Sequence, residues 1–98
     1  MNVANIWKKN KGDILIILNS ARKHGLSDDD ILKVISDPTV AYIIRPEPEK
    51  QLLLGFDSKA RALEVITDTG VNGQVYVIHA DKITKQYEKL LEEVQDEL

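Results

Sequence analysis

Residues 61–91 read RALEVITDTGVNGQVYVIHADKITKQYEKLL, and this stretch decides the fold. Its first part predicts a β-hairpin with arms Arg61–Thr69 and Gln74–Ala80, both rich in β-branched residues. Between the arms, Asn72-Gly73 is the strongest short hairpin signal in the chain, because both positions tolerate positive φ. A tight two-residue turn there would set His79 opposite Ile66. The apolar period then becomes helical. Ile83, Tyr87, Leu90, Leu91, Val94 and Leu98 fall on one face, so an amphipathic helix is expected from about Asp81, capped by Asp81 or Thr84. Glu92, Glu93, Asp96 and Glu97 crowd its C-terminal end, where the helix dipole disfavours negative charge. Residues 92–98 are therefore expected to fray or to meet a basic partner.

Upstream of this stretch, Gln51–Phe56 and Thr39–Ile44 read as two further strands, and Asp57-Ser58-Lys59-Ala60 as a polar turn. Arg45-Pro46-Glu47-Pro48-Glu49 is expected to be a loop, since neither proline can donate to a ladder. Ser27 followed by Asp30 is a variant of the capping box, and Leu26 and Ile31 are placed to staple it. Asp28, Asp29 and Asp30 sit where the dipole of the following helix favours negative charge, which explains the triplet without a metal. That helix must end before Pro38.

Asp13–His24 has two readings. Ile14, Ile17, Leu18 and Ala21 share a helical face, and Asp13 and Gly25 supply end signals. The run Ile14–Leu18 is also continuous and isoleucine-rich, which suits a strand. The end signals favour the helix. Residues 1–12 then form a lysine-bearing lead-in (Lys8, Lys9, Lys11), with Trp7 expected to dock on the core edge. The expected architecture is a single α+β domain over 1–98. It has two N-terminal helices, a four-stranded mainly antiparallel sheet and a C-terminal helix (ααββββα), with one sheet face left open.

At 98 residues the chain supports one core, and its 43% hydrophobic and 30% charged content argues against disorder. It has no cysteine, which excludes disulfides, thiolate metal sites and cysteine nucleophiles and agrees with a reducing, cytoplasmic setting. No apolar run has membrane-spanning or signal-peptide length, so no membrane partner is expected. A net charge of −3 counts against a general nucleic-acid coat protein but leaves room for a local basic patch.

Glycine-rich phosphate loops, His-x-x-x-His pairs and Gly-x-Ser-x-Gly elbows are absent from the sequence, so neither a cofactor nor a metal is expected. The chemistry-bearing residues gather around the hairpin. His79 ends a strand, and an imidazole titrates near neutrality, which suits acid–base work. The alternative is a strand-end histidine hydrogen-bonded to nearby backbone. Glu64 alternates with Leu63 and Val65, so it should face the other way, as a base or as a polar residue on the wet face. Lys59 and Arg61 open one strand, and Lys82 and Lys85 open the helix. Together they could hold an anion, or could be solvated surface charges. His24, in Arg22-Lys23-His24-Gly25, is explained by its place at a helix C-terminus.

Lys23-His24-Gly25-Leu26-Ser27, an acidic helix start and Asp37-Pro38 resemble the first half of the BrnT-type toxins of bacterial toxin–antitoxin pairs. Leu54-Gly55, Ala60-Arg61-x-Leu63-x-Val65 and Val77-Ile78-His79-Ala80-x-Lys82-x-Thr84 resemble the second half. The likeness runs from about Ile14 to Leu91. The chain departs from it at His79 and Asp81, where that family usually carries a serine and a basic residue. The resemblance implies a RelE-like fold, a metal-independent endoribonuclease and a neutralising antitoxin protein. RNA cleavage needs a base, an acid and cations at the phosphate. His79 and Glu64 are the candidate base or acid, Arg61 and Lys82 the cations, and Lys59, Lys85 and Tyr87 further RNA contacts. The competing function is a non-catalytic module that binds a protein through the open sheet face or its edges.

Overall fold

The hairpin lies inside the sheet, with strands on both sides of it. The computed structural model describes residues 3–8 and 14–96. Its elements are β1 (Val3–Lys8), β2 (Ile14–Leu18), α1 (Asn19–Arg22), α2 (Asp28–Ser36), β3 (Val40–Pro46), β4 (Glu49–Phe56), β5 (Ala62–Thr69), β6 (Val75–Lys82) and α3 (Lys85–Asp96). Among the described residues, the strands form one six-stranded sheet in the order β1-β2-β6-β5-β4-β3. The expected α+β class holds, and the sheet is mainly antiparallel. The exception is β2, which runs parallel to β6.

Four strands become six because the N-terminal reading is corrected at two places. Ile14–Leu18 is a strand, not the first turns of a helix over Asp13–His24. Pairing on both sides, with β1 and with β6, satisfies its backbone, and its alternation puts Leu15 and Ile17 in the core. Of the two helical end signals only Gly25 belongs to α1, a single turn that follows the strand directly: Gly25 takes φ +81° and donates its N–H to Arg22 O at 3.0 Å, whereas Asp13 precedes β2 and lies outside the described residues. The lead-in likewise supplies β1, whose backbone pairs with β2. The Trp7 side chain, Lys9 and Lys11 lie outside the described residues.

The Asn72-Gly73 turn is longer than expected by one residue. Gly73 N donates to Gly70 O at 2.9 Å and Gly70 N to Gln74 O at 2.8 Å, while Gly73 takes φ +82°. Thr69 consequently faces Val75, one residue out of step with a two-residue turn. A β-bulge at Ile78 restores the difference, and Ile66 does face His79. The proline-bearing loop contracts in the same way. Pro46 belongs to β3 and Glu49 to β4, so only Glu47 and Pro48 turn the chain. Pro46 stands at the end of the outer strand, beside the turn, where a sheet tolerates proline.

Helices cover both sheet faces, which corrects the expectation of one open face. On one face α2 packs Ile31, Val34 and Ile35 against Leu53, Leu63 and Val65. Ser27 caps that helix, accepting from Asp30 N at 3.2 Å, as its sequence signature implies. On the other face α3 lays Leu91 over Leu52, Leu54 and Val40, with Ile66, Tyr87 and Leu90 around them. The helix starts at Lys85 rather than Asp81 because β6 continues to Lys82. It runs to Asp96, and residues 97–98 lie outside the described residues.

Candidate active site

Strand alternation sets the site. Val65 faces Ala80 and both are in the apolar core under α2. Glu64, Ile66, His79 and Asp81 therefore point to the face that carries α3. Glu64 does face away from Leu63 and Val65, yet it is 3% exposed and so is not on a wet face. Its burial is matched by partners. Oε1 accepts from Thr84 N, just ahead of α3, at 2.6 Å, and Oε2 lies 2.8 Å from His79 Nε2. Burying a carboxylate costs several kcal/mol unless it is hydrogen-bonded, and here each oxygen has a donor. The partner of His79 is thus a side chain rather than the nearby backbone.

A second histidine joins the first. Beyond Val77, β2 no longer accompanies β6, and α1 takes its place, tied by Ser20 Oγ donating to Ile78 O at 2.8 Å. Arg22 then clamps Asp28 through Nε at 2.8 Å and Nη2 at 2.7 Å, fixing the end of α1 against the start of α2. That hydrogen bond raises the Arg22 pKa further above its ordinary value, so the clamp stays charged. Between the clamped ends, His24 turns toward β6. Its ring packs edge-to-face on His79 with centroids 5.7 Å apart, and its Nδ1 lies 3.5 Å from Asp81 Oδ2. Two imidazoles, each beside its own carboxylate, thus stand together, with side-chain exposures of 33% for His24 and 29% for His79. Solvent reaches both rings. Sequence reasoning placed His24 only at a helix end, and no spacing rule links it to His79, because the contact depends on α1 displacing β2.

The other candidate residues are dispersed. Arg61 folds back on Asp57 in the β4–β5 loop, with Nε 2.7 Å from Asp57 Oδ2. Lys82 faces Leu63, on the sheet face opposite His79. Lys59 is exposed in the same loop as Arg61, and Lys85 is exposed at the start of α3. Tyr87 packs into the α3 core cluster. The structure therefore gathers His79 and Glu64 but not the expected cations.

The larger of two described cavities, about 670 Å³, lies elsewhere, between the end of α2 and the β5–β6 turn. Its lining includes Gln51, Thr67, Gln74 and a single ionisable residue, Glu49, so proton transfer is better served at the histidine pair. No group of three His, Cys, Asp or Glu among the described residues is arranged to hold a metal ion, and no described helix is long and apolar enough to cross a membrane. Comparison with protein-family models, curated proteins and solved structures finds no match to the chain.

Proposed function

We propose that the protein is the toxin-like component of a toxin–antitoxin pair, an endoribonuclease that cleaves RNA by proton transfer and is neutralised by a partner protein. The observation that carries this reading is the His79–Glu64 pair: a solvent-reachable imidazole hydrogen-bonded at 2.8 Å to a buried carboxylate. Carboxylates in this relation orient an imidazole and select its tautomer, as a general base requires. The resemblance of the 23–38 and 54–84 segments to BrnT-type toxins supports the substrate class and the partner.

One observation favours the second reading, a non-catalytic protein-interaction module. Outer strand β3 presents Tyr42, Ile43 and Ile44 at 57%, 49% and 45% exposure. An apolar sheet edge of this kind invites strand addition by another chain. An antitoxin would use the same edge, so the two readings differ in catalysis and not in docking.

The deciding experiment expresses the chain alone and with the product of its neighbouring gene, and incubates the purified protein with single-stranded RNA in the presence of a chelator. Growth arrest relieved by the neighbour and RNA cleavage in vitro are expected. His79→Ala should slow cleavage by about 10²–10⁴-fold, the usual contribution of a positioned acid or base. Absence of cleavage, or cleavage unchanged in His79→Ala, would leave the interaction module as the better reading.

A further inference from the structure

The two imidazoles are not held alike. Glu64 receives Thr84 N on one oxygen and His79 on the other, and an ionised carboxylate can only accept. The His79 proton must then sit on Nε2, which leaves Nδ1 as a bare acceptor on a part-exposed ring. His24 has a looser contact. Its Nδ1 is 3.5 Å from Asp81 Oδ2, too long for a strong neutral hydrogen bond but within ion-pair distance once the ring is protonated. Asp81 is itself held in place, Oδ1 accepting from Lys82 N at 2.7 Å. One ring is thus fixed as a proton acceptor, and the other has a carboxylate ready to partner its imidazolium. The edge-to-face contact sets the two ring centroids 5.7 Å apart, a spacing comparable to the width of a phosphate group with its oxygens.

Resting on the ribonuclease reading above, we infer that His24 is a second catalytic residue, the general acid that completes the reaction begun by His79. His79 Nδ1 takes the proton of the ribose 2′-hydroxyl, and the 2′-oxygen attacks the adjacent phosphorus. The bond from phosphorus to the 5′-oxygen breaks, and that oxygen takes the proton from His24 Nε2. The products are a 2′,3′-cyclic phosphate and a free 5′-hydroxyl. The proton count closes with His79 charged and His24 neutral, and exchange with water returns both to their starting forms. The His24 imidazolium also supplies positive charge at the phosphate, a role that Arg61 and Lys82 are not placed to fill.

The test compares two RNA substrates, one normal and one with sulfur replacing the bridging 5′-oxygen at the cleaved linkage. A thiolate leaves without protonation, so the second substrate needs a base and no acid. His24→Ala and His24→Gln should cleave normal RNA about 10²–10⁴-fold more slowly than the unaltered protein. On the sulfur-bridged substrate both variants should match it, whereas His79→Ala should be slow on both. Unaltered rates on normal RNA, or equal losses on the two substrates, would overturn the assignment of His24 while leaving RNA cleavage standing. If the unaltered protein cleaves neither substrate, the ribonuclease reading itself is overturned, and the acid role with it. His24 is one-third exposed, so its replacements should fold, and thermal unfolding curves run alongside confirm it.

Discussion

Asp57 and Glu64 are both buried carboxylates, 1% and 3% exposed, and they lie seven positions apart in sequence, yet the fold uses them differently. Asp57 is closed. Its Oδ1 accepts from Lys59 N at 2.8 Å and Arg61 N at 2.9 Å, and its Oδ2 from Arg61 Nε at 2.7 Å. These bonds wrap the β4–β5 loop into a knot in which Ala60 is held at φ 62°. Lys33 of α2 fastens the knot from outside, donating to Phe56 O at 3.3 Å and Asp57 O at 3.1 Å. Glu64 is open at one end. One oxygen secures the approach to α3, and the other holds an imidazole that faces solvent. The lesson is that burial of a carboxylate does not mark a site by itself. What matters is whether its last partner is backbone and guanidinium, or a group that can move a proton.

Neutralising each carboxylate without changing its shape should separate the two most strongly. Glu64→Gln should slow RNA cleavage by about 10²-fold or more, because the amide no longer orients His79 and supports its charged form. Asp57→Asn should leave the cleavage rate within about twofold of the unaltered protein, since its ligands contact no site residue. Equal losses in the two variants would mean that both carboxylates act through the stability of the fold.

A second, smaller effect is on stability. Glu64→Leu removes the acceptor of Thr84 N and of His79 Nε2 together. Thr84 is exposed, so its N–H can turn to water, and losing this hydrogen bond should cost about 0.5–1.5 kcal/mol in urea unfolding. His79 can recover water, because its ring is part-exposed. A gain in stability on this change would show that the Glu64 network is retained only for chemistry, as happens when a buried polar cluster is replaced by apolar packing.

The legible parts of the molecule were those with local signals. Ser27 and the aspartates after it start α2, Asn72-Gly73 turns the hairpin, and the apolar spacing from Ile83 to Val94 gives α3. The pairing of His79 with Ile66 was also foreseen, although it arises from a longer turn offset by the bulge at Ile78. What the sequence did not disclose depends on distant pairing. Ile14–Leu18 meets both helical and strand patterns, and β1 and β6 decide between them. The meeting of His24 with His79 follows from that same choice, because a helix over Asp13–His24 would not end beside β6. Lys82 is close to His79 in sequence and Arg61 directly precedes β5, but a loop knot and the alternation of the strand turn them elsewhere.

The smallest expected effect separates the two carboxylates in acid. Hydrogen bonds hold the Asp57 carboxyl below the ordinary carboxylate range, first that from Arg61 N, then those from the Arg61 side chain and Lys59 N, against the opposing pull of burial. A carboxyl that ionises more readily in the folded chain than in the unfolded one stabilises the fold above its unfolded value, near 3.9. That contribution is lost as pH falls through the lower folded value. The unaltered protein should therefore lose stability below about pH 4 more steeply than Asp57→Asn, which has no proton to bind at this position. Urea midpoints measured from pH 6 down to pH 3 report the difference. A constant gap between the two proteins across that range would mean that the Asp57 knot holds the loop by shape and not by charge. The closed carboxylate would then differ from Glu64 in chemistry as well as in its partners.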